Sequence, residues 1–156
     1  MPRDSVSDPQ GPRTIPLLQE QRMATILIID PEASRLRLHS DVIRSMGHAP
    51  VTAASGAAGI QALSDHPETT LVACHLNLPD GRFEDFLAAV RRAPHYAIVP
   101  FVMMAEDIDS TRLLQLVSSG VEGTLKLPVD PEFLAHTVRK GIEVYAQRHL
   151  LERRVA

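Results

Sequence analysis

The sequence predicts an α/β domain in which a doubly wound, five-stranded parallel sheet carries helices on both faces. Short apolar runs suited to buried strands alternate with amphipathic helical patterns, and the connections between them are short. Strict alternation of this kind implies parallel strands joined by right-handed crossovers. The 156 residues, 44% of them hydrophobic, are enough for one such domain with a single core.

Composition and charge narrow the classes of function. The formal net charge of −3, without a long block of like charge, predicts no nucleic-acid partner. The longest apolar runs fall far short of the ~20 residues that span a bilayer, and the N-terminus lacks the apolar core of a signal peptide. We therefore expect a cytoplasmic protein without membrane contact. The single cysteine, Cys74, lies in an apolar run and is expected to be a buried hydrophobic residue.

The chain divides into three parts. Residues 1–22 combine several prolines with polar residues and are predicted to form a flexible N-terminal arm, because they cannot bury enough surface to offset their ordering entropy. The folded domain is expected over residues 23–145. Residues 146–156 are predicted to extend its last helix.

The first half of the domain opens with an apolar strand from Ile26 to Ile29, which ends at Asp30. A helical stripe follows and stops at Gly47, a residue suited to a left-handed helix terminus. A short strand then runs from Ala49 to Ala53, and Ser55 can cap the next helix. The stripe of the first helix consists of Leu36, Ile43 and Met46, with Leu38 and Val42 beside them. The inner face of the second helix is assigned to Ile60 and Leu63.

The central strand is the apolar run from Leu71 to Cys74, which delivers His75 to its carboxyl end. A Leu-Pro-Asp-Gly turn at 78–81 follows. The next helix is indicated by apolar residues at i, i+3, i+4 and i+7, namely Phe83, Phe86, Leu87 and Val90.

The second half repeats the alternation. A strand is predicted from Ile98 to Met104, and a helix begins at Asp109 or Ser110 and closes at Gly120. The last strand runs from Val121 to Leu127. The last helix opens with an N-cap residue, a proline in the first turn and an early acid, at 130–132. The fourth helix bears the apolar residues Leu113, Leu116 and Val117.

The stretch from Leu71 to Gly81 resembles the central strand of response regulator receiver domains. In that family an aspartate stands at the position of His75 and is followed by Leu, Asn, Leu or Met, and Pro, as in residues 76–79 here. The order and spacing of the other landmarks extend the resemblance from Ala24 to Tyr145. It implies a CheY-like strand order of 2-1-3-4-5 and a role in two-component signal transduction.

The resemblance also implies a site. In the family a carboxylate takes a phosphoryl group from a phosphohistidine, an acidic pair holds Mg²⁺, and a lysine clamps the phosphate. A hydroxyl and an aromatic ring then respond to the new charge. Here Asp30 matches the first acid, Pro31 stands at the second, and His75 stands at the acceptor. Asn77 matches the family. At four other positions this chain departs from it: Ala105 replaces the hydroxyl residue, Glu106 the small residue, Thr124 the aromatic residue and Leu127 the lysine.

These departures predict a degenerate pseudo-receiver without enzymatic activity. Lys126 should not replace the missing lysine, because neighbouring strand residues point to opposite faces. No cofactor is expected: Mg²⁺ binding should be weak or absent, with Asp30 as a weak candidate ligand. The fold would serve as a phosphorylation-independent interaction module for a sensor histidine kinase or another signalling protein.

Several roles remain open for His75. The imidazole could fill the vacated pocket and hydrogen-bond Asp30 or a backbone group. It could instead sense pH, since histidine changes charge near neutrality, or act as a phosphorelay intermediate. A ligand sensor is a further alternative, and a transition metal could bind His75 together with Asp30 and Glu32 or Glu106.

The last helix carries two apolar stripes. Leu134, Val138, Ile142 and Tyr145 are expected to face the sheet. The second stripe, which the domain cannot cover, consists of Val144, Leu151 and Val155. It predicts either a homodimer through this helix or a linker to an output domain.

Overall fold

Five strands form one parallel sheet, and two more form a small antiparallel hairpin, in a computed structural model that describes the backbone of residues 23–155 and the side chains of residues 23–152. The strands are β1 (Thr25–Ile29), β2 (Ala49–Ala53), β3 (Thr69–His75), β4 (Asn77–Leu78), β5 (Gly81–Arg82), β6 (Phe101–Ala105) and β7 (Gly123–Lys126). The α-helices are α1 (Ala33–Ser45), α2 (Gly56–Asp65), α3 (Phe83–Arg91), α4 (Ser110–Ser118) and α5 (Pro131–Val155). The flexible arm predicted for residues 1–22 lies outside the described residues.

The sheet order is β2-β1-β3-β6-β7, with β4 and β5 forming the separate hairpin. All four pairings within the large sheet are parallel. Counting only the strands of this sheet gives the order 2-1-3-4-5, so the predicted fold class is confirmed. The carboxyl ends of β1, β3 and β6 meet at one edge, and this geometry brings their following loops together.

The core has two halves because alternate strand residues point to opposite faces of the sheet. Leu27 and Ile29 of β1 pack with residues of α2, α3 and α4. Ile26 and Ile28 pack with residues of α1 and α5. The fully enclosed side chains that fill these two halves include Phe83, Phe101, Ile43, Leu63, Met103, Met104 and Leu116.

Local sequence signals set several of the helix ends. The Ser55 hydroxyl accepts a hydrogen bond from the backbone N–H of Ala58 at 3.1 Å, which caps α2 as predicted. Asp109 caps α4 in the same way through the N–H of Arg112, at 2.8 Å. Gly47 follows the end of α1 with a φ of +87°, a left-handed conformation that favours glycine.

Ile60, which the sequence assigns to an inner helix face, is instead 42% exposed, and so are two other apolar residues named for their helices, Leu38 (56%) and Val117 (52%). In α2 the cause is the close approach of Gly59, where a Cβ atom would lie 2.6 Å from Ile29 Cδ1. Gly59 therefore faces the sheet and Ile60 turns toward solvent. In α1 the neighbouring His39 is buried and Leu38 points outward.

Several strand boundaries also differ from the predictions. The strand expected from Ile98 begins at Phe101, because a 3₁₀ turn at Pro94–Tyr96 and Pro100 occupy the connection. The last strand covers Gly123–Lys126 rather than the longer predicted span.

Helix α5 continues past Tyr145 to Val155, as predicted. Leu134 and Val138 are buried against the sheet, whereas Leu151 is 58% exposed. Val144 is half-buried, and the side chain of Val155 lies outside the described residues. Within residues 23–155, no helix is both long and apolar enough to cross a membrane.

Candidate functional site

The candidate site lies where β1, β3 and β6 end. Asp30 follows β1, His75 is the last residue of β3, and Glu106 follows β6. The fourth side chain is Arg35, in the first turn of α1. These four residues are joined by hydrogen bonds and are called the Asp30 cluster below.

Asp30 is fully buried, and both of its carboxylate oxygens accept hydrogen bonds. Oδ2 accepts a hydrogen bond from Arg35 Nε at 2.6 Å. Oδ1 accepts from Arg35 Nη2 at 3.0 Å and from the backbone N–H of Glu32 at 2.9 Å. The two-point contact between a guanidinium and a carboxylate is a strong, charge-assisted arrangement. This hydrogen bonding with Asp30 raises the pKa of Arg35 above its ordinary value.

Glu106 bridges the other two members of the Asp30 cluster. Its Oε2 accepts a hydrogen bond from Arg35 Nη1 at 2.9 Å, and its Oε1 lies 3.0 Å from His75 Nε2. The pKa of Glu106 is lowered, first by its own backbone N–H and then by His75 and Arg35. The carboxylate is thus charged and held by donors from two different elements.

His75 is only 3% exposed, and both of its ring nitrogens are engaged. Nδ1 accepts a hydrogen bond from the backbone N–H of Asn77 at 3.0 Å. Because Nδ1 is the acceptor, the proton of the neutral ring is assigned to Nε2, which donates it to Glu106. Of the two partners that the sequence left open for His75, the backbone group is therefore present, whereas Asp30 pairs with Arg35.

The other sequence-predicted positions are scattered around the Asp30 cluster. Pro31 is exposed, and Leu127 is 3% exposed within the core beside α1 and α5. Ala105 and the exposed Thr124 line a shallow cavity of about 140 Å³. Lys126 Nζ donates to the backbone oxygen of Glu106 at 3.1 Å and makes no described contact with Asp30 or His75.

The arrangement does not fit the Mg²⁺ ion that the resemblance implies. Mg²⁺ requires oxygen ligands in near-octahedral geometry. Both oxygens of Asp30 already accept hydrogen bonds from Arg35, and Pro31 offers no side-chain oxygen. In the described part of the chain, no group of three or more His, Cys, Asp or Glu side chains could hold a metal ion, so the transition-metal set suggested around His75 is not assembled.

Arg35 is the functional residue that sequence reasoning missed. It stands five positions after Asp30, across a strand-to-helix turn, and belongs to no motif of the receiver family quoted above. A signal was nevertheless present, because an arginine in the turn after a buried acid is well placed to pair with it.

Comparisons with known proteins agree with this topology. No protein-family model matches the chain. The chemotaxis response regulator CheY4 of Vibrio cholerae is 24% identical to this chain, and the two structures superpose with a TM-score of 0.71. The match covers 76% of this chain and 98% of CheY4. A CheY-like receiver domain protein from Methanospirillum hungatei is 18% identical, with a TM-score of 0.71 over 81% of this chain and 98% of that one. The chain has the receiver fold.

A sequence relative supports the same assignment. The transcriptional regulatory protein KdpE of Mycobacterium tuberculosis is 28% identical over 114 residues, which cover 72% of this chain and 49% of that protein. The receiver-like chain therefore spans about half the length of the curated relative that it matches.

Proposed function

We propose that this chain is a pseudo-receiver: a receiver-fold interaction module of two-component signal transduction that works without aspartyl phosphorylation and without enzymatic activity. The observation that supports this most is the Asp30 cluster. Its guanidinium pairs with the one acid that matches a Mg²⁺ ligand, and an imidazole stands at the acceptor position. Phosphoryl transfer to such a site would lack both its carboxylate nucleophile and its metal.

A phosphorelay through His75 is less well supported. A phosphoacceptor imidazole needs a free ring nitrogen that a donor protein can reach. His75 is 3% exposed, Nδ1 accepts from Asn77, and Nε2 pairs with Glu106. These contacts favour a structural histidine over a nucleophile.

The partners that we propose are a sensor histidine kinase or another signalling protein, together with a second copy of the chain. The signalling partner is proposed because the fold is similar to that of response regulators such as CheY4 of Vibrio cholerae. The second copy is proposed because apolar residues of α5 are exposed to solvent.

The test is phosphorylation of the full chain. The protein is incubated with Mg²⁺ and acetyl phosphate or a sensor kinase, and its mass is measured at neutral pH. We expect no added phosphate, and no change in the amide NMR spectrum on addition of beryllofluoride. The variant His75→Asp should also stay unmodified, because Pro31, Ala105 and Leu127 still replace the family's acid, hydroxyl and lysine. Arg35 also still hydrogen-bonds both oxygens of Asp30. A phosphorylated wild-type chain, or an efficiently phosphorylated His75→Asp variant, would refute the proposal.

A further inference from the structure

We infer that Glu106 is an internal latch that fixes the loop at residues 106–109, and with it the start of α4. The inference deepens the proposed function and rests on it, because it supplies a way to hold the interaction surface without phosphate or metal. Glu106 is the first residue of this loop, directly after β6.

Three contacts hold Glu106 from three different elements. Its Oε2 accepts from Arg35 Nη1 of α1 at 2.9 Å, and its Oε1 pairs with His75 Nε2 of β3 at 3.0 Å. Its backbone oxygen accepts from Lys126 Nζ of β7 at 3.1 Å. Both carboxylate oxygens and the carbonyl are therefore used, although the Glu106 side chain is 54% exposed.

The two groups that hold the Glu106 carboxylate are themselves fixed. The Arg35 side chain is 16% exposed and is oriented by the fully buried Asp30. His75 is oriented by the backbone N–H of Asn77. Because neither donor has to be ordered when it binds Glu106, the entropy cost of each contact falls mainly on Glu106 itself.

The latch acts on α4 through a short connection. Asp109 ends the loop and caps α4, accepting from the N–H of Arg112 at 2.8 Å. Arg112 then pairs with Glu84 of α3, at 3.2 Å from Nε and 3.1 Å from Nη2. The first turn of α4 is thus tied to the sheet edge on one side and to α3 on the other, so release of Glu106 should loosen its N-terminal attachment.

The test is amide hydrogen exchange on the full chain. The variant Glu106→Ala should speed exchange of the two α4 amides that are hydrogen-bonded to Asp109, those of Arg112 and Leu113, by roughly three- to tenfold, while core amides of β1 and β3 stay unchanged. Asp107→Ala is the matched control. It removes a neighbouring acid from the same exposed loop, one for which no ion pair is found among the described residues. The exchange rate of the control should equal that of the wild-type chain.

Two further measurements separate a latch from a general loss of stability. High salt should speed exchange of the same amides in the wild-type chain, because ions screen exposed charge pairs, but should have little effect in Glu106→Ala. Glu106→Gln keeps one acceptor oxygen and should give an intermediate rate. The latch is wrong if Glu106→Ala exchanges like the wild-type chain, or if Asp107→Ala is equally fast. Phosphorylation of the wild-type chain would instead refute the proposed function and leave this result standing.

Discussion

At the scale of single residues, the fully buried charge of Asp30 depends on Arg35. We expect Arg35→Met to destabilise the fold by about 3–5 kcal/mol, since removing one partner leaves a buried carboxylate without a counter-charge. Urea unfolding at neutral pH measures the effect. Arg37→Met is the control, because Arg37 is exposed on the same helix and forms no ion pair with another described residue. Equal stability of the two variants would mean that Arg35 does not compensate Asp30.

His39 is a second buried polar residue, and it has a pH signature. It is 3% exposed, its Nδ1 lacks a hydrogen-bond partner among the described residues, and burial lowers its pKa below the ordinary value. The unfolded chain therefore binds a proton more readily than the folded chain. The folded state loses stability as pH falls through the unfolded value near ~6.5, and full stability is present above it.

The expected outcome concerns His39→Leu, which removes both the unpartnered nitrogen and the proton uptake. The free energy of unfolding should fall less between pH 7 and pH 5 in this variant than in the wild-type chain. Urea titrations at the two pH values measure it, with His136→Leu as a control at an exposed position. An unchanged pH dependence in His39→Leu would assign the acid sensitivity to other groups.

At the scale of elements, most of the fold could be predicted because hydrophobic periodicity and caps are local signals. The strand at Ile26 to Ile29, the Ser55 cap and the closure of α1 before Gly47 were all found where the sequence indicated. Errors arose where packing decides. The outward turn of Ile60 depends on how closely Gly59 approaches Ile29, a tertiary contact that no local pattern encodes.

The candidate site divides in the same way. The edge where Asp30, His75 and Glu106 meet follows from parallel strand topology and could be predicted. Their pairing could not, because it depends on side chains that are distant in sequence: His75 and Glu106 are 31 positions apart. Arg35 then decides the outcome, since its guanidinium engages Asp30 and leaves the backbone N–H of Asn77 as the partner of His75 Nδ1.

At the scale of the whole molecule, α5 extends beyond the body of the domain. Arg148 anchors it with an ion pair of 2.6 Å to Glu122. Beyond that point Leu150 and Leu151 are more than half exposed, as is Phe133 near the start of the helix. Phe133 and Leu151 are about five full turns apart and thus share a face, on which the half-buried Val144 also lies.

We propose that this face binds a second copy of the chain. Phe133 and Leu151 lie at equal distances on either side of Ile142, so two antiparallel α5 helices related by a two-fold axis would place each Phe133 against Leu151 of the other copy. A two-fold contact of this kind is self-complementary. It would cover the apolar residues that one domain leaves in water.

The double variant Val144→Glu with Leu151→Glu should therefore convert a dimer into a folded monomer, because it places charges within the apolar contact. Light scattering measures the mass, and circular dichroism confirms that the variant is folded. Ala146→Glu is the control, since Ala146 is exposed on a different face of the same helix and should leave the dimer intact. A wild-type chain that is monomeric at tens of micromolar, or a double variant that remains dimeric, would show that this face is not the interface.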